Sequence, residues 1–113
     1  MTVTHIVLFK VKPDIPPQQL AEFDTQVRSL KQVPGVQKLS FGPTFKTDRA
    51  RGYTHALVVE LPSQQALNDY AANEHHITVI KNHIRPAVME GMFVLSFVML
   101  LAYASECRYC GTH

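Results

Sequence analysis

Two segments of the chain are apolar on both of their alternating faces, and this narrows the fold more than any other feature. From His5 to Val11 the odd positions are His5, Val7, Phe9 and Val11, while the even ones include Ile6 and Leu8 ahead of Lys10. A strand with one solvated face alternates apolar with polar residues, so this one is expected to be covered on both sides. The run from Met92 to Met99 has the same character and continues in sequence to Tyr103. Those twelve residues fall short of the roughly 20 needed to cross a bilayer core. The run reads as a buried strand with an overrun, opened by Gly91.

Between these two strands the pattern changes period. Asp14-Ile15-Pro16-Pro17 breaks the first strand and supplies a proline where a helix begins, a position at which its missing N–H costs nothing. Leu20, Phe23, Val27 and Leu30 follow at helical spacing, and Val33-Pro34-Gly35 ends the helix. Val36 to Phe45 and Tyr53 to Leu61 read as two strands joined by the polar segment Lys46 to Gly52. Pro62-Ser63 stops the third strand. Ser63 suits a helix cap, and Ala66, Leu67 and Tyr70 form the inward face of a helix ending near Ala72. After an interruption at Asn73 and Glu74, Ile77, Ile80, Ile84 and Val88 mark a further helical segment, which Arg85-Pro86 kinks or ends.

The order β-α-β-β-α-β, with its second helix split, predicts an α+β chain of ferredoxin-like arrangement: an antiparallel sheet backed by helices on one face. The other face has to bury itself against something. A second copy of the sheet is the simplest partner, so a homodimer is expected.

At 113 residues one core is the economical solution, and we read residues 1–99 as the domain and 100–113 as a C-terminal extension. The chain is 46% hydrophobic and 18% charged, which suits a globular domain. A net charge of +2 without a run of lysine or arginine offers no footprint for nucleic acid or a membrane surface. The first residues lack the pattern of a signal peptide, so a cytoplasmic protein is expected. Cys107 and Cys110, with His113 nearby, make one C-x-x-C and no second pair. That is a short ligand count for zinc and the wrong context for a redox motif, so these read as exposed thiols on a tail.

Six histidines are the main source of chemistry. His5 shares its strand parity with Val7 and Phe9, and His55 shares its own with Tyr53, Leu57 and Val59, so each is expected on a largely apolar face. His76 and His83 are seven residues apart, on a helix side that carries Val79 and is distinct from the isoleucine stripe. Tyr70 precedes His76 across the helix break, and a phenol beside an imidazole can move protons on and off a carbonyl compound. The alternative for Tyr70 is a core aromatic with its hydroxyl at the rim. Neither H-x-x-x-H nor H-E-x-x-H occurs, and the contiguous Glu74-His75-His76 aims its side chains apart, so no metal or other cofactor is expected. G-x-S-x-G, a Gly-rich phosphate loop and a nucleophilic cysteine within the fold are also missing, which argues against covalent catalysis.

Thr4-His5-Ile6-Val7-Leu8-Phe9, Gly52-Tyr53-Thr54-His55, and Asp69-Tyr70 followed by His76 resemble the stress-response A/B barrel family, over nearly everything from Met1 to about Phe97. The resemblance implies a dimeric α/β barrel. Within the family the chain is most similar to the olivetolic acid cyclase-like polyketide cyclases, which carry out cofactor-free aldol condensation with retention of a carboxylate. By that likeness His76 matches the general base, Tyr70 matches a residue that binds and polarises the substrate, and His5 and His55 match pocket-lining histidines. Val7, Phe9 and Leu57, on the same strand faces, join them as expected substrate-binding residues. The family pattern Tyr-x-x-His-Pro-x-His is here Tyr70-Ala71-Ala72-Asn73-Glu74-His75-His76, so only the tyrosine and the last histidine keep their places.

The expected function is therefore a small cofactor-independent lyase or cyclase of secondary metabolism, acting on a hydrophobic carbonyl compound of polyketide type. The alternatives are a non-catalytic, stress-induced dimer that binds a ligand, and a cofactor-free dimeric barrel monooxygenase, although the chain has no tryptophan. A cavity of about 300 Å³ or more beside Tyr70 and His76 suits an enzyme or binder, and a filled interior a structural dimer.

Overall fold

The computed structural model describes residues 2–89 and 92–99. Its sheet is built around β1 (Thr2–Phe9), which pairs along one edge with β3 (His55–Leu61) and along the other with β4 (Phe93–Met99). The strand β2 (Lys38–Pro43) adds to the far edge of β3, giving the order β2-β3-β1-β4 with every neighbouring pair antiparallel. This is the expected ferredoxin-like α+β arrangement. The proposed opening of the last strand at Gly91, together with Cys107, Cys110, His113 and the extension 100–113, lies outside the described residues.

One helical layer covers one face of this sheet. The helix α1 (Pro17–Arg28) carries Pro17 in its first turn and buries Phe23 and Val27, after which a 3₁₀ turn at Ser29–Gln32 buries Leu30. Gly35 turns the chain toward β2 at φ +94°, a conformation that side chains with a Cβ rarely adopt. The helix α2 (Gln64–Ala72) is capped by Ser63, whose Oγ accepts from the Ala66 N–H at 3.0 Å. Asn73 separates it from α3 (Glu74–Val79), a π-helical turn spans Ile80–Ile84, and α4 (Arg85–Ala87) ends the layer at Pro86-Ala87.

The core lies between the layers, where Val7, Phe9, Phe41, Leu57, Val59 and Leu61 meet Phe23, Val27, Leu30, Tyr70, Val79 and Ile84. Phe9, Phe23 and Phe41 pack edge-to-face with centroids 5.7 to 6.0 Å apart. Burying each such ring is worth about 1.5–3 kcal/mol. The opposite sheet face is apolar as expected, and among the described residues no element covers it. Ile6 faces Leu95 and Leu8 faces Phe93 across the β1–β4 pair, and Phe93 and Leu95 are 63% and 62% exposed.

Several element limits differ from the sequence expectations. β1 begins at Thr2 and ends at Phe9, with Val11 held separately in a bridge to Val88. β2 and β3 are shorter than Val36–Phe45 and Tyr53–Leu61, and Phe45 is fully exposed. The expected stripe Ile77, Ile80, Ile84 and Val88 holds in part: Ile84 is buried and Ile80 and Val88 pack against the core. Val79, Ile84 and Ala87 are buried, whereas Ile77 is 42% exposed. The cause is local: Asn73 restarts the helix, and the π turn inserts an extra residue, so no single period of 3.6 runs through the segment.

Candidate active site

The two histidines that matter most are placed by backbone features on either side of one cavity. His5 sits in the middle of β1, on the face that carries Val7 and Phe9 inward, directly opposite Val59 on β3 and Ser96 on β4. Its Nδ1 is 2.8 Å from Ser96 Oγ. His76 lies in the first turn of α3, where the Asn73 side-chain oxygen accepts from the backbone N–H groups of His75 and His76 at 2.9 and 3.4 Å. Its ring is anchored again at Nδ1, which donates to the Ala71 carbonyl at 3.1 Å. A carbonyl can only accept, so neutral His76 carries its proton on Nδ1 and its lone pair on Nε2.

Tyr70, in the last turn of α2, lies between them. Its ring centroid is 4.4 Å from that of His76 and 6.0 Å from that of His5. Its side chain is buried, and among the described residues its hydroxyl has no hydrogen-bond partner. Leaving such a donor unpaired costs about 1–3 kcal/mol, so the hydroxyl is a standing demand for an acceptor.

These side chains line a cavity of about 180 Å³ whose remaining wall is apolar: Val7, Phe9 and Leu57 from the sheet, Leu30, Leu67, Ile80 and Ile84 from the helical layer, and Met92 and Val94 at β4. The interior is thus not filled, and the cavity is smaller than the 300 Å³ set as the mark of an enzyme or binder. Burial holds the His5 imidazole below its ordinary pKa, and the nearby His76 lowers it further. Burial lowers His76 as well; its bond to Ala71 opposes this and neighbouring His75 adds to it. Burial raises the Tyr70 phenol, which stays protonated. Near neutrality the cavity therefore offers one fixed donor, one free imidazole lone pair, and a second neutral imidazole.

Of the residues singled out in the sequence, His5, Tyr70, His76, Val7, Phe9 and Leu57 come together here. His55 does not. It packs at the other end of the core, stacked on Phe41 at 5.5 Å and edge-on to Phe23 at 5.8 Å, with Nδ1 2.8 Å from Thr54 Oγ1. The face parity was right, but Phe9, the residue that pairs with His55 across the β1–β3 ladder, lies four positions along the strand from His5. His83 is absent from the cavity wall, and His75 faces away, its Nε2 2.8 Å from Ser29 Oγ. Among the described residues no three metal-ligating side chains lie close enough to hold an ion, and no helix is long and apolar enough to cross a membrane. Two contributors went unread in the sequence. Ser96 is the lone polar residue in an apolar strand, and Asn73 is a strong cap type just before a helix; both signals were present.

Comparison with known proteins agrees with this architecture. A stress-response A/B barrel domain-containing protein of Arabidopsis thaliana is 30% identical over 84 residues, 74% of this chain and 32% of that protein. The chain thus spans about a third of that relative. Olivetolic acid cyclase of Cannabis sativa is 28% identical over 79 residues, covering 68% of this chain and 78% of the cyclase. Among solved structures, hydroxynitrile lyase from Passiflora edulis superposes with a TM-score of 0.78 at 22% identity, over 88% of this chain and 94% of that one. A dimeric ferredoxin-like protein of unknown function from Thermobifida fusca gives 0.75 at 21% identity, over 88% and 92%. The family model for the stress responsive A/B barrel domain matches residues 3–98, and the chain belongs to that family.

Proposed function

We propose that the cavity is the active site of a cofactor-independent lyase or cyclase, in which His76 Nε2 removes a proton from a hydrophobic carbonyl compound while Tyr70 donates to its oxygen. The observation that carries this reading is the meeting, in one apolar cavity, of an unpartnered buried phenol and an imidazole whose lone pair is left on Nε2. An imidazole kept neutral by burial is the right base for a C–H or O–H next to a carbonyl, and general-base catalysis of this kind supplies about 10²–10⁴-fold in rate. In a cyclisation, the carbon that loses its proton to His76 forms the new C–C bond at a second carbonyl, whose oxygen then takes a proton back. No electrons enter or leave.

The size of the cavity limits the reacting group. A cavity of about 150 Å³ accommodates benzene, and this one measures about 180 Å³. We therefore place a single ring, or a folded chain end of similar volume, inside, with any longer polyketide tail extending through the mouth. The likenesses to a cyclase and to a lyase support this class of chemistry. The reading includes a homodimer formed through the apolar outer sheet face and a cytoplasmic setting, where near-neutral pH leaves His76 unprotonated.

The test is a screen of small ketones, aldehydes and cyanohydrins by ligand-induced thermal shift, followed by turnover assays on whatever binds. The expectation is turnover that His76→Ala lowers at least a hundredfold. Full turnover by that variant overturns the assignment, and saturable binding without turnover indicates a ligand-binding protein instead.

A further inference from the structure

His5 and His76 face the same cavity but are anchored differently. The partner of His76 Nδ1 is a carbonyl, which accepts and cannot donate, so that tautomer is fixed. The partner of His5 Nδ1 is the Ser96 hydroxyl, at 2.8 Å, which can do either. What the cavity contains decides between the two. If His5 also carried its proton on Nδ1, two Nε2 lone pairs would meet in an apolar space with Tyr70 as the sole donor, and a carbonyl oxygen brought to Tyr70 would be repelled by both. If Ser96 donates to Nδ1, His5 instead turns Nε2–H toward the ligand, and the three polar groups become two donors and one base.

We propose that Ser96 is a positioning residue that holds His5 in the Nε2–H tautomer, making His5 the second hydrogen-bond donor to the substrate oxygen and complementary to the base at His76. The placement is rigid, because His5 and Ser96 are cross-strand partners in the β1–β4 register, so the sheet itself sets their distance. Ser96 is not among the residues that line the cavity; it acts through His5. The groups that surround the His5 ring are consistent with a neutral donor: Tyr70 and His76 from the helical layer, and Ser96 and Val59 from the flanking strands, with no carboxylate among them. A proton taken up by His76 disfavours a second one on His5, which therefore stays neutral at the moment when negative charge develops on the substrate oxygen.

This inference rests on the proton-transfer reading for its catalytic consequence, but its structural content is tested without substrate. Long-range ¹H–¹⁵N correlation spectra of the full chain at pH 8, with assignment by single histidine substitutions, report which nitrogen of each ring is protonated. The expected result is Nδ1–H for His76 and Nε2–H for His5, with His5 shifting toward a mixture of tautomers in Ser96→Ala and returning in Ser96→Thr. Nδ1–H for His5 in the unsubstituted protein, or no change in Ser96→Ala, overturns the proposal. On a verified substrate, Ser96→Ala is expected to lower kcat about tenfold with little change in KM, and Ser96→Thr to restore it. If the spectra come out as expected but no carbonyl compound is turned over, the proton-transfer reading fails while the tautomer assignment stands.

Discussion

The rings of Tyr70 and His76 lie 4.4 Å apart and tilted by 45°, with the Tyr70 hydroxyl unpaired among the described residues and the His76 lone pair left on Nε2. Five residues separate them in the chain, and the helix restart at Asn73 folds one back onto the other.

That arrangement makes Tyr70→Phe an informative substitution. Removing a buried hydroxyl that bonds nothing relieves its desolvation cost, so the variant is expected to be as stable as the parent or more so by up to about 1 kcal/mol. Its Tm in differential scanning calorimetry should not fall, while affinity for a carbonyl ligand found by screening should drop about tenfold. A clear loss of stability would mean that the hydroxyl is satisfied in solution and does not wait for a ligand.

Acid should weaken both the fold and the activity. His5, His55 and His76 all titrate below the ordinary value of 6.5 in the folded protein, chiefly because burial penalises the cation. The unfolded chain then binds more protons than the folded one at acid pH. The stability these histidines contribute is complete above about pH 6.5 and is lost as pH falls toward their folded-state values. Tm measured from pH 8 down to pH 5 is expected to decline, and less steeply in His5→Gln/His76→Gln. The acid limb of kcat/KM should have its midpoint below 6.5, because the base works unprotonated.

Asn73 links stability to geometry. Its side chain caps α3 by accepting two backbone N–H groups, one of them His76's own. Asn73→Ala is expected to cost about 1 kcal/mol, seen as a lower urea midpoint, and to reduce turnover. Asn73→Asp, which can still cap, should recover most of both. A loss of stability with turnover unchanged would show that the cap is not needed to place His76.

Much of this was readable in the sequence because the informative patterns were local. Alternation in β1, helical spacing from Leu20 to Leu30 and the turn chemistry at Pro16-Pro17, Gly35 and Ser63 each depend on a few adjacent residues, and together they admit few topologies. The cavity was legible where strand parity or a familiar spacing settled it, as for His5 and for Tyr70 with His76. His55 was misplaced because parity fixes the face of a sheet but not the position along it. In the third helical segment Ile80, Ile84 and Val88 turn inward as their spacing implies, but Val79 and Ala87 replace Ile77 because a π turn leaves no periodic trace. Ser96 went unread because its meaning depends on cross-strand register, which follows only from the pairing of β1 with β4.

The outer sheet face gives a fourth expectation. Ile6, Leu8, Phe93 and Leu95 present apolar side chains with no helix of the described residues over them, a patch that a second copy would bury. Sedimentation equilibrium of the full chain should report a dimer, and Leu95→Lys should dissociate it or lower its solubility. A monodisperse monomer for the unsubstituted chain would remove the dimer from the functional reading.

The π turn at Ile80–Ile84 makes the shape of the cavity a matter of counting. Because this turn takes up one residue more than an α-helical turn, deleting one residue among Lys81, Asn82 and His83 would let it close as ordinary α-helix while the residues on either side keep their faces. The cavity wall between Ile80 and Ile84 would tighten, while the Val11–Val88 bridge beyond it is kept. Differences in length at this turn, rather than exchanges of one side chain for another, are therefore where relatives of this chain would most readily acquire cavities of other sizes.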